Sequence, residues 1–245
     1  MVADGAVGMI DFHDNRILVV GGSSGLGLAT AQLAAKLGAH VTIASRSMEK
    51  VNAAIATIAD RASGRQLDVT QNGQVEAFFA DGTVWDHVIV TGSDVQIAAV
   101  RELPLETAYA AVDSKFWGFY RVARAAAIKP TGSLSVISGF LASRPAAGRA
   151  LMGAINAALE SLVRGLALEL KPVRVNAVSP AVTNTPMWAG LTDEARVAMF
   201  ERVANTYPAG RVGQPEDIAR QLLLLAATPS ATGTIVTLDG GASIA

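Results

Sequence analysis

The chain contains no cysteine among its 245 residues, which excludes disulfides, thiolate nucleophiles and cysteine-ligated metals and fits a cytoplasmic location. Charge is scarce too: Asp, Glu, Lys and Arg make up 17% of the chain and nearly cancel, for a formal net charge of -1. Without a basic field, nothing attracts a nucleic-acid backbone or an anionic membrane surface. His13, His40 and His87 are scattered, lack metal-ligand spacing and read as surface or strand-end positions, so no metal site is expected. No apolar run is suited to crossing a membrane: the long uncharged stretch 221–238, for example, is broken by Pro229, Gly233 and several threonines. Residues 1–15, with Asp4, Asp11, His13 and Asp14, read as a flexible tail rather than a signal peptide. Repeats and Pro- or Gly-rich linkers are missing as well, so residues 16–245 are expected to form one domain.

Apolar residues, by contrast, make up 51% of the chain. They fall in short β-branched runs that alternate with longer segments of helical period. Strands are expected at 16–20, 40–44, 65–67, 86–90, 133–138, 174–177 and 234–238. Helices are expected at 26–37, 48–59, 73–79, 105–127, 149–169, 193–204 and 215–226. This alternation is the signature of βαβ units and implies a single-domain α/β Rossmann fold, a doubly wound seven-stranded parallel sheet with helices on both faces. Segment 182–207 interrupts the alternation after the sixth strand and is a candidate substrate lid, because insertions there border the ligand crevice.

The turn Gly21, Gly22, Ser23, Ser24, Gly25, Leu26, Gly27 follows the first strand and opens the first helix. Glycine lets main chain approach a pyrophosphate, and a helix amino terminus presents free N–H groups and partial positive charge. After the second strand come Ser45, Arg46 and Ser47, where a dinucleotide-binding fold reads the ribose. A guanidinium flanked by hydroxyls suits a 2′-phosphate, and no carboxylate stands there to hold a 2′-hydroxyl, so NADP(H) is expected over NAD(H). As an ordinary helix-capping residue Arg46 would allow either cofactor.

The spacing of Gly21, Gly25 and Gly27 resembles that of the short-chain dehydrogenase/reductase family, and ordered matches cover nearly the whole chain. They are Asp68 and Val69; Ser138; residues 176–180; Thr185, Pro186 and Met187; residues 211–217; and Thr232 and Gly233 through Asp239, Gly240 and Gly241. The resemblance implies that Ser23, Ser24 and Leu26 hold the cofactor together with the glycines, and that Asp68 and Val69 lie along the adenine. It further implies that Thr91, Gly92 and Ser93 pass beside a ribose and that Pro180, Val182, Thr183 and Thr185 approach the nicotinamide. Asp68 has a competing turn-forming role. Two departures stand out: the family's Asn-Asn-Ala-Gly reads Val90, Thr91, Gly92, Ser93, and its glycine after Pro180 is Ala181. The bracing that the asparagine provides must therefore be replaced or lost.

Members of that family reduce carbonyls or oxidise alcohols with a Tyr-x-x-x-Lys pair, assisted by a serine and an asparagine. Ungapped alignment places Met152 at the tyrosine, Asn156 at the lysine and Asp113 at the asparagine, leaving only Ser138 of the four. A thioether cannot donate a proton, so another group must supply the acid step. Arg149, three residues before Met152, could stabilise an oxyanion, and Asn156 could touch the nicotinamide ribose or bond Asp113. Lys115 is expected to face elsewhere on its helix, and Tyr109, Tyr120 and Tyr207 match no catalytic position. Two readings stay open. One is an NADP(H)-dependent oxidoreductase acting on an apolar carbonyl or alcohol through an atypical site; the other is a non-catalytic NADP(H)-binding sensor or partner subunit. The resemblance also implies a homodimer or homotetramer.

Overall fold

Strands form where aliphatic and β-branched residues concentrate: β1 Arg16–Val20, β2 His40–Ser45, β3 Ala62–Gln66, β4 Trp85–Val90, β5 Ile128–Ile137, β6 Arg174–Pro180 and β7 Ile235–Leu238. The computed structural model describes residues 10–58, 60–92 and 96–245. The seven strands form one sheet in the order β3-β2-β1-β4-β5-β6-β7, and every pairing is parallel. Chain direction across the sheet reverses between β1 and β4, so the crevice at their carboxyl ends is the topological switch point where such folds bind ligands.

Helices α1 Gly25–Lys36, α2 Met48–Ile55, α3 Asn72–Phe79, α4 Leu105–Val112, α5 Gly118–Ala125, α6 Ala150–Glu169, α7 Asp193–Thr206 and α8 Pro215–Ala227 complete the fold. The period-2 alternation of β1 sends Leu18 and Val20 into one core and Ile17 and Val19 into the other. The first core lies under α3, α5 and α6, through Phe78, Val122 and Leu159. The second lies under α1 and α8, through Ala31, Ala34, Ile218 and Leu222. Helix α6 is long and apolar enough to cross a membrane by length and composition alone; here it packs with Ile155, Leu159, Val163 and Leu166 in the first core.

The structure corrects several expectations. The strand expected at 65–67 is Ala62–Gln66, a polar edge strand fixed by pairing with β2 rather than by its own hydrophobicity. The single helix expected over 105–127 is interrupted by a π-helical turn, Asp113–Trp117. Of the expected flexible tail, residues 1–9 lie outside the described residues, but 10–15 are anchored: Phe12 is buried, its N–H donates to the Leu37 carbonyl, and its ring meets His87 edge-on. His87 is not a surface residue but is 6% exposed in the middle of β4. Ala59, the expected end of the second helix, and Ser93 lie outside the described residues.

Candidate active site

The turn after β1 is shaped by contacts that only glycine permits. Gly21 has φ +81° and a Cβ there would overlap the Gly92 backbone, while a Cβ at Gly27 would overlap the Gly21 carbonyl. The β1 turn, the end of β4 and the first turn of α1 are thereby pressed together. Thr91 braces the junction, its Oγ1 donating to the Val20 carbonyl at 3.1 Å, which supplies one tie between β4 and β1 in place of an asparagine. Ser24 is the N-cap of α1 but makes no side-chain cap bond, and the first turn carries no acidic residue. The leading N–H groups of α1 therefore form an anion-accepting end.

The groove beside this turn measures about 380 Å³ and opens onto a second cavity. Gly21, Ser23, Ser24, Ser45, Arg46, Ser47, Asp68, Val69 and Gly92 all border it, as sequence reasoning expects, and Lys50 joins them. Lys50 sits in the first turn of α2, whose N-cap Ser47 accepts from the Lys50 N–H at 3.3 Å. The spacing of a cation four residues after Arg46 is a signal the sequence offers. Ser23 Oγ donates to Ser45 Oγ at 3.0 Å, linking the glycine turn to the β2 end. Asp68 does form a turn, accepting from Thr70 N–H and Oγ1 at 3.0 and 2.8 Å.

The second cavity, about 450 Å³, is lined by Leu26, Thr91, Lys115, Ser138, Arg149, Met152, Asn156, Pro180, Val182, Thr183 and Thr185. Groove and cavity abut at the switch point, since Thr91 borders one and Gly92 the other, as do Lys115 and Ser114. Residues of segment 182–207 close one side: Met187, Trp188, Met199, Arg202 and Tyr207 all face the cavity. Trp188 Nε1 donates to the Thr183 carbonyl at 2.9 Å, a bond internal to the segment that fixes its first turn.

Lys115 is the residue sequence reasoning missed. Its Nζ donates to the Ser138 carbonyl at 3.0 Å and to Asn156 Oδ1 at 2.5 Å, and lies 3.9 Å from Met152 Sδ. The π turn Asp113–Trp117 explains why Lys115 was expected to face elsewhere, whereas Asp113 was placed by alignment alone. An i→i+5 turn carries an extra residue, so the face expected from a 3.6 period is rotated. Asp113 turns outward to pair with Arg121 at 2.7 Å and does not border the cavity. It therefore neither enters the site nor bonds Asn156. Lys115, the one lysine in 105–125 and next to Phe116 and Trp117, was the available signal. Burial pushes the Lys115 ammonium down to about 8.

The remaining candidates divide. Ser138 Oγ donates to Glu160 Oε1 at 2.9 Å, so its carbonyl rather than its hydroxyl serves Lys115. Gly139 makes room for Asn156, because a Cβ there would press on Asn156 Nδ2 at 2.6 Å. Arg149 is the N-cap of α6 at the cavity margin. Tyr207, which matched no catalytic position, also borders the cavity, and burial holds its phenol above the ordinary range.

Known proteins share this architecture. A family model described as enoyl-(acyl carrier protein) reductase matches residues 20–243. Short-chain dehydrogenase/reductase ATR9 of Stachybotrys chlorohalonatus is 32% identical, over 92% of this chain and 96% of that protein. The 3-oxoacyl-(acyl-carrier-protein) reductase FabG of Chlamydia trachomatis is 30% identical, over 91% of this chain and 95% of that protein. Among solved structures, a small-chain dehydrogenase in complex with NADPH has 32% identity and a TM-score of 0.83, covering 95% of this chain and 100% of that one. The MalC reductase/Diels-Alderase of Malbranchea aurantiaca has 25% identity and a TM-score of 0.88, covering 96% of this chain and 98% of that one.

Proposed function

The chain belongs to the short-chain dehydrogenase/reductase family, and on that premise we propose that it is an NADP(H)-dependent oxidoreductase of carbonyl or alcohol substrates with a noncanonical active site. The observation that carries the cofactor reading is the groove in which the glycine turn, the uncapped start of α1 and Arg46 with Lys50 converge. Those groups fit a dinucleotide. Main-chain N–H groups at the start of α1 would hold the pyrophosphate, and Arg46, Lys50, Ser45 and Ser47 would hold the 2′-phosphate. Asp68 and Val69 would flank the adenine, and Pro180, Val182, Thr183 and Thr185 would border the nicotinamide. The NADPH complex of the small-chain dehydrogenase supports the same choice of cofactor.

Bound there, the cofactor supplies hydride chemistry next to the cavity. In this reading Met152 and Asn156 stand where the family carries tyrosine and lysine, so the protein must compensate with other groups. The cavity walls, including Phe140, Leu141, Met152, Met187 and Trp188, favour an apolar substrate body. Segment 182–207 acts as a lid over it. Exposed Leu105, Tyr109, Trp117 and Tyr120 on the α4–α5 face give a homodimer or homotetramer its contact.

Fluorescence titration of the protein with NADPH and with NADH tests the cofactor reading. Saturable binding that favours NADPH is expected; binding of neither dinucleotide would overturn it.

A further inference from the structure

We propose that Lys115 is the catalytic proton donor, delivering a proton from its ammonium group to the carbonyl oxygen of the substrate. This rests on the reading of the chain as an NADP(H)-dependent reductase. An ammonium group has three N–H donors. Two have oxygen acceptors, the Ser138 carbonyl at 3.0 Å and Asn156 Oδ1 at 2.5 Å. The only other partner among the described residues is Met152 Sδ at 3.9 Å, a weak acceptor. That leaves one N–H without a good acceptor beside the cavity that Lys115 and Met152 both line.

A buried ammonium without a carboxylate partner is costly to keep, and an aliphatic side chain would fill the same space without that cost. The arrangement makes sense where negative charge arrives during the reaction, as it does on the oxygen of a carbonyl that receives a hydride. Two oxygens fix the ammonium in place, so it needs no reorganisation when that charge develops.

The surroundings keep the group poised. On its own helix Asp113 is turned away onto Arg121. On α6, Arg149 lines the cavity and Glu160 is engaged by the Ser138 hydroxyl. On and after α7, Arg202 and Tyr207 face the cavity, and Tyr207 senses Asp239 and Arg149. Desolvation brings the ammonium down to about 8, close to the working pH at which a general acid is most effective.

The step balances. The carbonyl carbon of the substrate accepts a hydride from the reduced nicotinamide, forming a C–H bond. The C=O π pair moves to oxygen, and the oxygen takes a proton from Lys115 Nζ. One carbonyl, one reduced nicotinamide and one proton become one alcohol and one oxidised nicotinamide, and the neutral amine regains a proton from water.

The test compares wild type, Lys115→Met and Lys115→Arg with NADPH as reductant and phenanthrenequinone and ethyl acetoacetate as carbonyl probes. NADPH binding is measured separately by fluorescence. Wild type is expected to reduce at least one probe, with kcat falling as pH rises above about 8 and a normal solvent deuterium isotope effect. Lys115→Met should bind NADPH yet lose about a hundredfold to ten-thousandfold in kcat. Lys115→Arg should lose comparably, since a guanidinium does not release its proton in this range. In the cofactor-free protein, acetylation of Lys115 followed by mass spectrometry should reach half its maximal reactivity near pH 8, not the 10.5 of an exposed lysine. A Lys115→Met or Lys115→Arg enzyme as fast as wild type would overturn the proposal, as would wild type that binds NADPH and reduces neither probe, or surface-like labelling. Failure of wild type to bind NADPH would remove the cofactor reading and this proposal with it.

Discussion

Lys115 and Asn156, 41 positions apart in sequence, meet through a 2.5 Å hydrogen bond from Nζ to Oδ1 that joins the π turn between α4 and α5 to α6. The bond matters because it supplies one of the two oxygen acceptors of a buried cation, and the cation is a burden on the fold whenever it is charged.

The pH dependence of stability follows. The folded-state pKa of Lys115 is about 8, below its ordinary 10.5, so between those values the unfolded chain binds more protons and stability rises with pH. Below pH 8 both states are protonated and the penalty is complete. Wild type should therefore gain about 3 kcal/mol relative to Lys115→Met as pH rises from about 8 to 10.5. Urea unfolding of both proteins at a series of pH values reads the difference, and parallel curves would contradict it.

His87 gives the opposite limb of the profile. Burial pushes its imidazole down to about 4, while Nδ1 meets Ser133 Oγ at 2.9 Å and Nε2 meets Asn15 Nδ2 at 3.3 Å. Its ordinary value is 6.5, so stability is retained above that pH and lost as pH falls toward 4. The loss from this residue should reach about 2 kcal/mol by pH 5. His87→Gln should show a shallower acid limb in thermal unfolding, even with a lower midpoint at neutral pH.

Arg46 should set the choice of cofactor. Removing a charge-assisted contact to a phosphate costs about 1.5–3 kcal/mol, so Arg46→Ala should weaken NADPH binding roughly tenfold to a hundredfold. NADH affinity should change little. Equal losses for both cofactors would place Arg46 outside the 2′-phosphate site.

Two glycines make a matched pair of opposite sign. At Gly21, φ is +81° and a Cβ overlaps the Gly92 backbone, so Gly21→Ala should destabilise the protein by more than about 1 kcal/mol and abolish NADPH binding. A Cβ at Gly73, in α3, meets nothing within 4 Å, so Gly73→Ala should stabilise by roughly 0.4–1 kcal/mol. Thermal unfolding and cofactor titration distinguish the two.

The sheet and the groove at the glycine turn were legible because their determinants are local. Buried strands such as β1 and β4 show as apolar runs, and a glycine turn between a strand and a helix carries its geometry in its spacing. The polar edge strand β3 was harder to bound, since its extent depends on pairing with β2. Asp113 was placed by alignment with the family, and Lys115 was assigned to the wrong face for a specific reason. A helical period extrapolated from α4 fails at a π turn, whose extra residue leaves no periodic trace in the sequence. Likewise, Tyr207 matches no motif and borders the cavity from the far end of segment 182–207.

Transfer of label tests the central claim most directly. NADPH carrying deuterium at the transferable position of its nicotinamide, incubated with the protein and phenanthrenequinone, should yield a reduced product whose formation shows a primary isotope effect; with ethyl acetoacetate, the hydroxy ester should carry one deuterium on its carbinol carbon. A protein that binds NADPH yet gives no such transfer to either compound would contradict the account of this chain as a reductase.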